Sequence, residues 1–115
     1  MARTQTPVTT TVVGDSSLPT EVNLALYRIA QEALNNVAKH ARAGQVTVCL
    51  RCLPGQVTLS VADDGLGFNL SDVKPDQFGL EIMRERAAAI GAKLDVKSEP
   101  GQGTQVVVAC QYQRE

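Results

Sequence analysis

The stretch VADDGLGF, Val61–Phe68, ends a run in which apolar and polar residues alternate. In that run Val57, Leu59 and Val61 fall on one face of a predicted strand, and Asp63 continues the same row while Asp64 does not. A carboxylate on the buried face of a sheet is costly unless hydrogen-bond donors meet it. A turn alone would explain one aspartate and one glycine, so we interpret the whole set as one side of a ligand site.

The chain has 115 residues, of which 43% are hydrophobic, and a formal net charge of −1. This length predicts a single domain, 1–115, in which residues 1–7 are a flexible or vector-derived lead-in. The balanced charge gives no reason to expect contact with nucleic acid or membrane. No apolar run approaches the roughly 18 residues of a membrane span. We therefore expect a cytoplasmic fragment, whether or not its parent protein is membrane-anchored.

The three cysteines include a C-x-x-C pair, Cys49 and Cys52, which in other contexts indicates a metal or redox site. Here the pair falls in a strand-like run, where residues three apart point to opposite faces. The chain has one histidine, His40, and no second Cys/His pair. We expect reduced structural thiols rather than a metal site.

Periodicity and turn residues predict the element order β-α-β-β-loop-α-β-β. Strands that alternate on one face, with helices to cover it, predict an α/β (α+β) two-layer sandwich, with a mixed, mostly antiparallel sheet and helices on one face. Thr20 is the predicted N-cap of the first helix. The predicted strands are Val8–Val13, Gln45–Cys52, Gln56–Asp63, Lys93–Ser98 and Gly103–Gln111, and the predicted helices are Glu21–Ala41 and Phe78–Ile90.

The last predicted strand repeats the arrangement of the opening stretch, because Thr104 lies in register with two inward-pointing valines. Asp63 and Thr104 thus extend two apolar rows toward one end of the sheet, as at the edge of a pocket. The amino group of adenine is one donor that would meet the carboxylate. Gly65 and Gly67 permit positive φ and the close approach of a flat ring. The alternatives are that Asp63 caps a turn, that Thr104 is an ordinary strand residue and that the glycines form a flexible loop.

A polar stripe runs beside the apolar face of the first helix, formed by Glu32, Asn36 and Lys39 with His40 at its margin. An amide oxygen can ligate Mg²⁺, and an amine can meet phosphate oxygens. Glu32 could orient or deprotonate an attacking group. The set suits phosphoryl transfer from a metal–nucleotide complex. The alternative is a solvated helix face with a Glu–Asn pair.

Four motifs in order resemble the N, G1, G2 and G3 boxes of the GHKL ATPase superfamily: QEALNNVAKHA (31–41), DDGLGF (63–68), FGLEIMRERA (78–87) and GQGT (101–104). More narrowly, residues 18–108 resemble the catalytic ATP-binding domain of sensor histidine kinases that serve NarL/LuxR-type response regulators. The resemblance implies the Bergerat ATP-binding fold, with ATP and Mg²⁺ bound between the first helix and a lid.

For the adenine base, the resemblance implies that Asp63 binds N6, with Thr104 and a bridging water beside it. Gly65 and Gly67 would admit the base and shape the lid. The segment 69–77 is short for a lid, as in this subfamily.

At the phosphates, the resemblance implies that Asn36 ligates Mg²⁺, with Asn35 nearby, and that Lys39 and His40 face phosphate or ribose. Glu32 takes the place of the family's acid or amide that orients the γ-phosphate or its acceptor. The remaining candidates lie in the second helix: Gly79 and Leu80 would offer backbone N–H groups to phosphate, and Arg84 or Arg86 could meet phosphate or a neighbouring domain.

The implied activity is transfer of the γ-phosphoryl group of Mg-ATP to a histidine on a separate dimerisation domain of the parent kinase, which then serves a response regulator. His40 lies inside the N box and is not that phosphoacceptor. The alternatives are an anti-sigma-type serine kinase and a non-catalytic nucleotide-binding module of the same fold.

Overall fold

The computed structural model describes residues 6–14, 17–74 and 77–113. Most of the predicted lead-in, residues 1–5, lies outside the described residues. At its end, the carbonyl oxygen of Pro7 already accepts a hydrogen bond from the backbone nitrogen of Val46 at 2.9 Å. The chain is therefore held against the sheet from that residue onward.

The elements follow the predicted order, with five strands and two α-helices in the described part of the chain. The first helix continues into a π-turn at Val37–Ala41, and short 3₁₀ turns occupy Leu70–Asp72 and Gln77–Gly79. The strands are β1 (Val8–Gly14), β2 (Val46–Leu53), β3 (Gln56–Asp63), β4 (Lys93–Ser98) and β5 (Thr104–Gln111), and the helices are α1 (Thr20–Asn36) and α2 (Leu80–Ala89).

The strands form one sheet in the order β1-β2-β3-β5-β4. β1 pairs with β2 in parallel, and the other neighbours are antiparallel. This confirms the predicted mixed, mostly antiparallel sheet. All seven residues of β1 are exposed, so this edge strand extends beyond the area that the helices cover.

The core lies between the helices and one face of β2 to β5. Ile29 of α1, Met83 of α2 and Val108 of β5 are each 0% exposed. On β2 Cys52 is buried while Cys49 is half-buried, as expected for residues on opposite faces. Burial also raises the pKa of the Cys110 thiol on β5. Among the residues that the structure describes, no three His, Cys, Asp or Glu side chains are grouped so that they could hold a metal ion.

The helix ends differ from the predictions. Thr20 is the first residue of α1 rather than its N-cap: Pro19 holds the cap position and makes no side-chain cap bond. The α-helical part ends at Asn36, and Arg42, in the left-handed region at φ 49°, follows the π-turn. The second helix begins at Leu80 rather than Phe78, because Phe78 and Gly79 both have positive φ and cannot belong to a right-handed helix.

Neither helix in the described ranges has the length and apolar character needed to cross a membrane.

Candidate functional site

A cavity of about 270 Å³ lies between the end of α1, the end of β3 and the start of α2. Its walls are mainly apolar, with a few polar groups at the rim, which is the usual character of a small-molecule site. The lining residues are Ala33, Asn36, Val37, His40, Val61, Asp63, Leu66, Gly67, Phe68, Phe78, Leu80, Thr104 and Val106.

Three polar residues lie side by side where three apolar rows end. Asp63 of β3 is paired with Thr104 of β5, and Thr104 is paired with Ser98 of β4. One pair deeper, Val61 and Val106 are both buried. Two of these polar residues are predicted from the alternation of their strands. The third, Ser98, is not among the predicted site residues, although it continues the inward row of β4.

The two adjacent aspartates face different ways. Asp63 is half-buried at the cavity, and one of its oxygens, Oδ1, accepts a hydrogen bond from the backbone nitrogen of Gly65 at 2.8 Å. It therefore caps the turn and lines the cavity at once, so the two interpretations of this residue are compatible. Asp64 is exposed, and its Oδ1 accepts from the backbone nitrogens of Gly44 (2.8 Å) and Gln45 (3.0 Å). Asp64 thus ties the end of β3 to the start of β2.

Ser98 joins three parts of the site through its hydroxyl oxygen, Oγ. The backbone N–H of Phe68 donates to it at 2.8 Å, and Ser98 donates to the carbonyl oxygen of Gly103 at 3.2 Å. The hydroxyl of Thr104 lies 2.8 Å away. The loop after β3 is thereby fixed to the β4–β5 hairpin.

Two glycines allow that loop and the hairpin to touch backbone to backbone. Gly67 has φ 65°, and a Cβ there would lie 2.1 Å from the carbonyl oxygen of Glu99. Gly103 has φ 77°, and a Cβ there would lie 2.1 Å from the carbonyl oxygen of Asp63. Gly67 lines the cavity as well. Gly65 is buried beside it, and its part in the site is the hydrogen bond to Asp63.

Aromatic rings form one wall of the cavity. Phe68 stacks on Phe78 with ring centroids 4.4 Å apart and planes at 16°, and His40 meets Phe78 edge-on at 5.0 Å. The two phenylalanines are not among the predicted site residues, although they end one motif, DDGLGF, and begin another, FGLEIMRERA. A non-glycine residue such as Phe78 at φ 63° costs roughly 1–2 kcal/mol. Its neighbours must hold this conformation in place.

α1 supplies part of that support. Nδ2 of Asn36 donates to the carbonyl oxygen of Phe78 at 2.5 Å. The bond uses the amide nitrogen, so the amide oxygen, which is the metal-binding atom, is not the one engaged in it. Glu32 is half-buried next to Gly79: a Cβ at that glycine would lie 2.4 Å from Glu32 Oε2. The start of α2 is thus packed against the polar stripe of α1.

The other predicted residues of α1 divide at the π-turn. His40 lines the cavity, whereas Asn35 and Lys39 are exposed and lie outside its lining. The prediction for Lys39 extrapolates an α-helix at about 100° per residue. Wider i→i+5 turns after Asn36 change the direction of the side chains that follow.

In α2, Leu80 is buried and lines the cavity, with Gly79 immediately before it. Arg84 lines a separate groove between α2, β4 and the segment around Val73, and Arg86 is exposed. The structure therefore brings Asn36, His40, Asp63, Gly67, Leu80 and Thr104 together at one cavity. Gly65 and Gly79 are outside the lining but adjoin residues that belong to it, and Glu32 packs against Gly79.

The comparisons with known proteins agree with this geometry. Residues 21–114 match the family described as histidine kinase-, DNA gyrase B- and HSP90-like ATPases. The chain is 43% identical over 96 residues to the sensor histidine kinase LiaS of Bacillus subtilis (strain 168), and 36% identical over 103 residues to the sensor protein VraS of Staphylococcus haemolyticus (strain JCSC1435). These matches cover 84% and 90% of the chain, but only 27% and 30% of the two relatives.

Among solved structures, the histidine kinase domain of the blue-light activated histidine kinase from Erythrobacter litoralis EL346 has a similar fold, with a TM-score of 0.70 and 26% identity. The similarity covers 93% of this chain and 52% of that one. It confirms the predicted sheet-and-helix architecture.

Proposed function

The chain belongs to the family of histidine kinase-, DNA gyrase B- and HSP90-like ATPases, and from this we propose that it is the ATP-binding catalytic domain of a sensor histidine kinase. The observation that carries the proposal is the inward carboxylate of Asp63, which lies at the rim of an otherwise apolar cavity. In the whole protein, the γ-phosphoryl group of ATP passes to a histidine of a separate dimerisation domain, and a response regulator acts downstream. The domain works in the cytoplasm.

The base of ATP occupies the sheet end of the cavity. Asp63 accepts a hydrogen bond from the adenine amino group, using the oxygen that does not cap the turn. Thr104 lies beside Asp63, and Val61 and Val106 form the apolar floor under the ring. Gly65 keeps the carboxylate in position through its N–H. A flat apolar ring with one polar edge matches this combination of walls and rim.

The phosphates lie toward the junction of α1 and α2. His40 lines this side of the cavity, and the backbone N–H groups at Gly79 and Leu80 begin a helix, where anions are favoured. Asn35 and Lys39 lie outside the cavity, so they meet only the part of the ligand that projects from it. Arg84, in its own groove, serves a neighbouring domain rather than the nucleotide.

The residues present fit a magnesium ion. Mg²⁺ prefers oxygen ligands, keeps several waters and is usually held by one or two protein groups together with the substrate phosphates. One amide oxygen, that of Asn36, is therefore a sufficient protein ligand. The ion would neutralise charge on the phosphates. Glu32, next to Gly79, orients or deprotonates the attacking group.

The experiment compares two neighbouring substitutions by titration calorimetry with Mg-ATP. Asp63→Asn replaces the carboxylate at the cavity, and loss of a charge-assisted hydrogen bond should weaken binding by about 10- to 100-fold. Asp64→Asn keeps an oxygen that can accept from Gly44 and Gln45, so binding should stay within about twofold of the original. Equal losses in the two variants would contradict the assignment of the inward face.

The transfer step needs its own measurement. Labelled ATP and a purified cognate dimerisation domain should together give a phosphorylated histidine on that domain. A chain that binds ATP but labels nothing would be a nucleotide-binding module, and a label on serine would indicate the anti-sigma type of kinase.

A further inference from the structure

The contacts of Ser98 determine where hydroxyl protons lie at the rim of the cavity. A serine hydroxyl has one proton and two lone pairs. The backbone N–H of Phe68 can only donate, so it takes a lone pair of Ser98 Oγ. The carbonyl oxygen of Gly103 can only accept, and because Gly103 is buried this oxygen needs a donor. Ser98 therefore donates its single hydroxyl proton to the carbonyl oxygen of Gly103.

This leaves one arrangement for Thr104. Its Oγ1 lies 2.8 Å from Ser98 Oγ, and either atom could be the donor on distance alone. Because Ser98 has no second proton, Thr104 donates, and its own proton is directed at Ser98. The lone pairs of Thr104 remain for the cavity. Its strand partner Asp63 presents carboxylate oxygens, which act as acceptors, as the bond from the Gly65 N–H shows.

We propose that Ser98 is a positioning residue that makes this rim accept hydrogen bonds only, and thereby sets the preference for adenine over 6-oxopurines. The inference rests on the proposed function. Adenine presents an amino group with two N–H donors at position 6, one for Asp63 and one for Thr104, while its N1 is an acceptor. Hypoxanthine and guanine present an acceptor oxygen at position 6 and a ring N–H donor at position 1. Asp63 alone does not reject a 6-oxopurine, because the N1–H could donate to it. A Thr104 hydroxyl free to turn could also donate to O6, and Ser98 removes that freedom.

The test is the ratio of the dissociation constants of ITP and ATP, measured by calorimetry with Mg²⁺ for the chain and for Ser98→Ala. The substitution leaves Thr104 free to donate, so the ratio should fall about tenfold, mainly through tighter ITP binding. Ser60→Ala is the matched control. Ser60 lies on the outer face of β3, so its removal should leave the ratio unchanged.

A second comparison separates positioning from simple structural support. Thr104→Val removes the hydroxyl, so adding Ser98→Ala to that variant should not change the ratio further. If Ser98→Ala does not fold, Ser98→Cys, whose thiol is a weak donor, should give a smaller change in the same direction.

Three results would count against the inference. If Ser98→Ala weakens ATP and ITP equally, Ser98 supports the fold only and the inference is wrong while the proposed function stands. A drop in the ratio that persists in the Thr104→Val background would also overturn it, because the effect would not pass through Thr104. An unsubstituted chain that binds neither nucleotide would overturn the proposed function, and the inference with it.

Discussion

The inward face of the sheet has two ends, built by the same strands. At the dry end, Val57 of β3 pairs with Cys110 of β5, and both are at most 2% exposed. At the polar end, defined by Asp63, Thr104 and Ser98, the same rows finish in a carboxylate and two hydroxyls. Only the last residue of each row differs in kind. A binding edge can therefore be made by changing the last residue of each row while the packing that holds the sheet together is left intact.

The largest effect is expected in the core away from the cavity. Met83→Ala removes a side chain that is 0% exposed and should lower the free energy of unfolding by about 2–5 kcal/mol. Urea denaturation measures this. Ile82→Ala, on the adjacent, 44% exposed residue, is the control and should cost at most about 0.5 kcal/mol. ATP affinity of the folded protein should be unchanged in both, and a loss of affinity in Met83→Ala would mean that the two ends are not separable.

An intermediate effect is expected at Gly103, which precedes Thr104 of the polar end and packs backbone to backbone against Asp63. Gly101→Ala and Gly103→Ala both place a side chain at positive φ, which costs roughly 1–2 kcal/mol. Gly101 has open space around the added Cβ, whereas Gly103 meets the Asp63 carbonyl. Gly103→Ala should therefore lose about 1–3 kcal/mol more in urea denaturation, and should also weaken ATP binding. Equal costs in the two variants would show that the close approach can relax freely.

The smallest effect is expected at the C-terminal end of α1, where Asn36 lies beside the cavity. Asn36→Ala removes an amide oxygen for Mg²⁺ and the donor to the Phe78 carbonyl, so Mg-ATP should bind about tenfold more weakly in calorimetry. Asn35→Ala, on an exposed neighbour, should leave affinity unchanged. Repeating both titrations with EDTA separates loss of the metal ligand from loss of the bond to Phe78. A loss that is the same without Mg²⁺ would assign Asn36 to holding Phe78 rather than to the metal.

Much of the fold follows from alternation in the sequence, because period-two patterns separate the two faces of a strand. This places Asp63 inward and Asp64 outward, sets the antiparallel hairpins and puts Cys49 and Cys52 on opposite faces. The parallel direction of β1 cannot be predicted from its residue pattern, because this exposed edge strand buries no side chains that would fix its direction.

Parts of the site depend on geometry that a periodic pattern does not carry. The π-turn removes Lys39 from the predicted stripe and leaves His40 at the cavity. The wall formed by Phe68 and Phe78 requires a left-handed backbone conformation at Phe78. The residues next to Phe78 in the sequence do not predict that conformation. Ser98 looks like any strand residue until the register places it beside Thr104.

The polar end also affects the register in which β3 pairs with β5. A slip of two residues between β3 and β5 would keep every inward side chain inward, so alternation alone does not exclude it. In one direction such a slip would set Asp63 opposite Val106, with its carboxylate among aliphatic groups, and in the other it would set Thr104 opposite Val61. The residues proposed to bind the ligand therefore also favour the native register of β3 and β5 during folding.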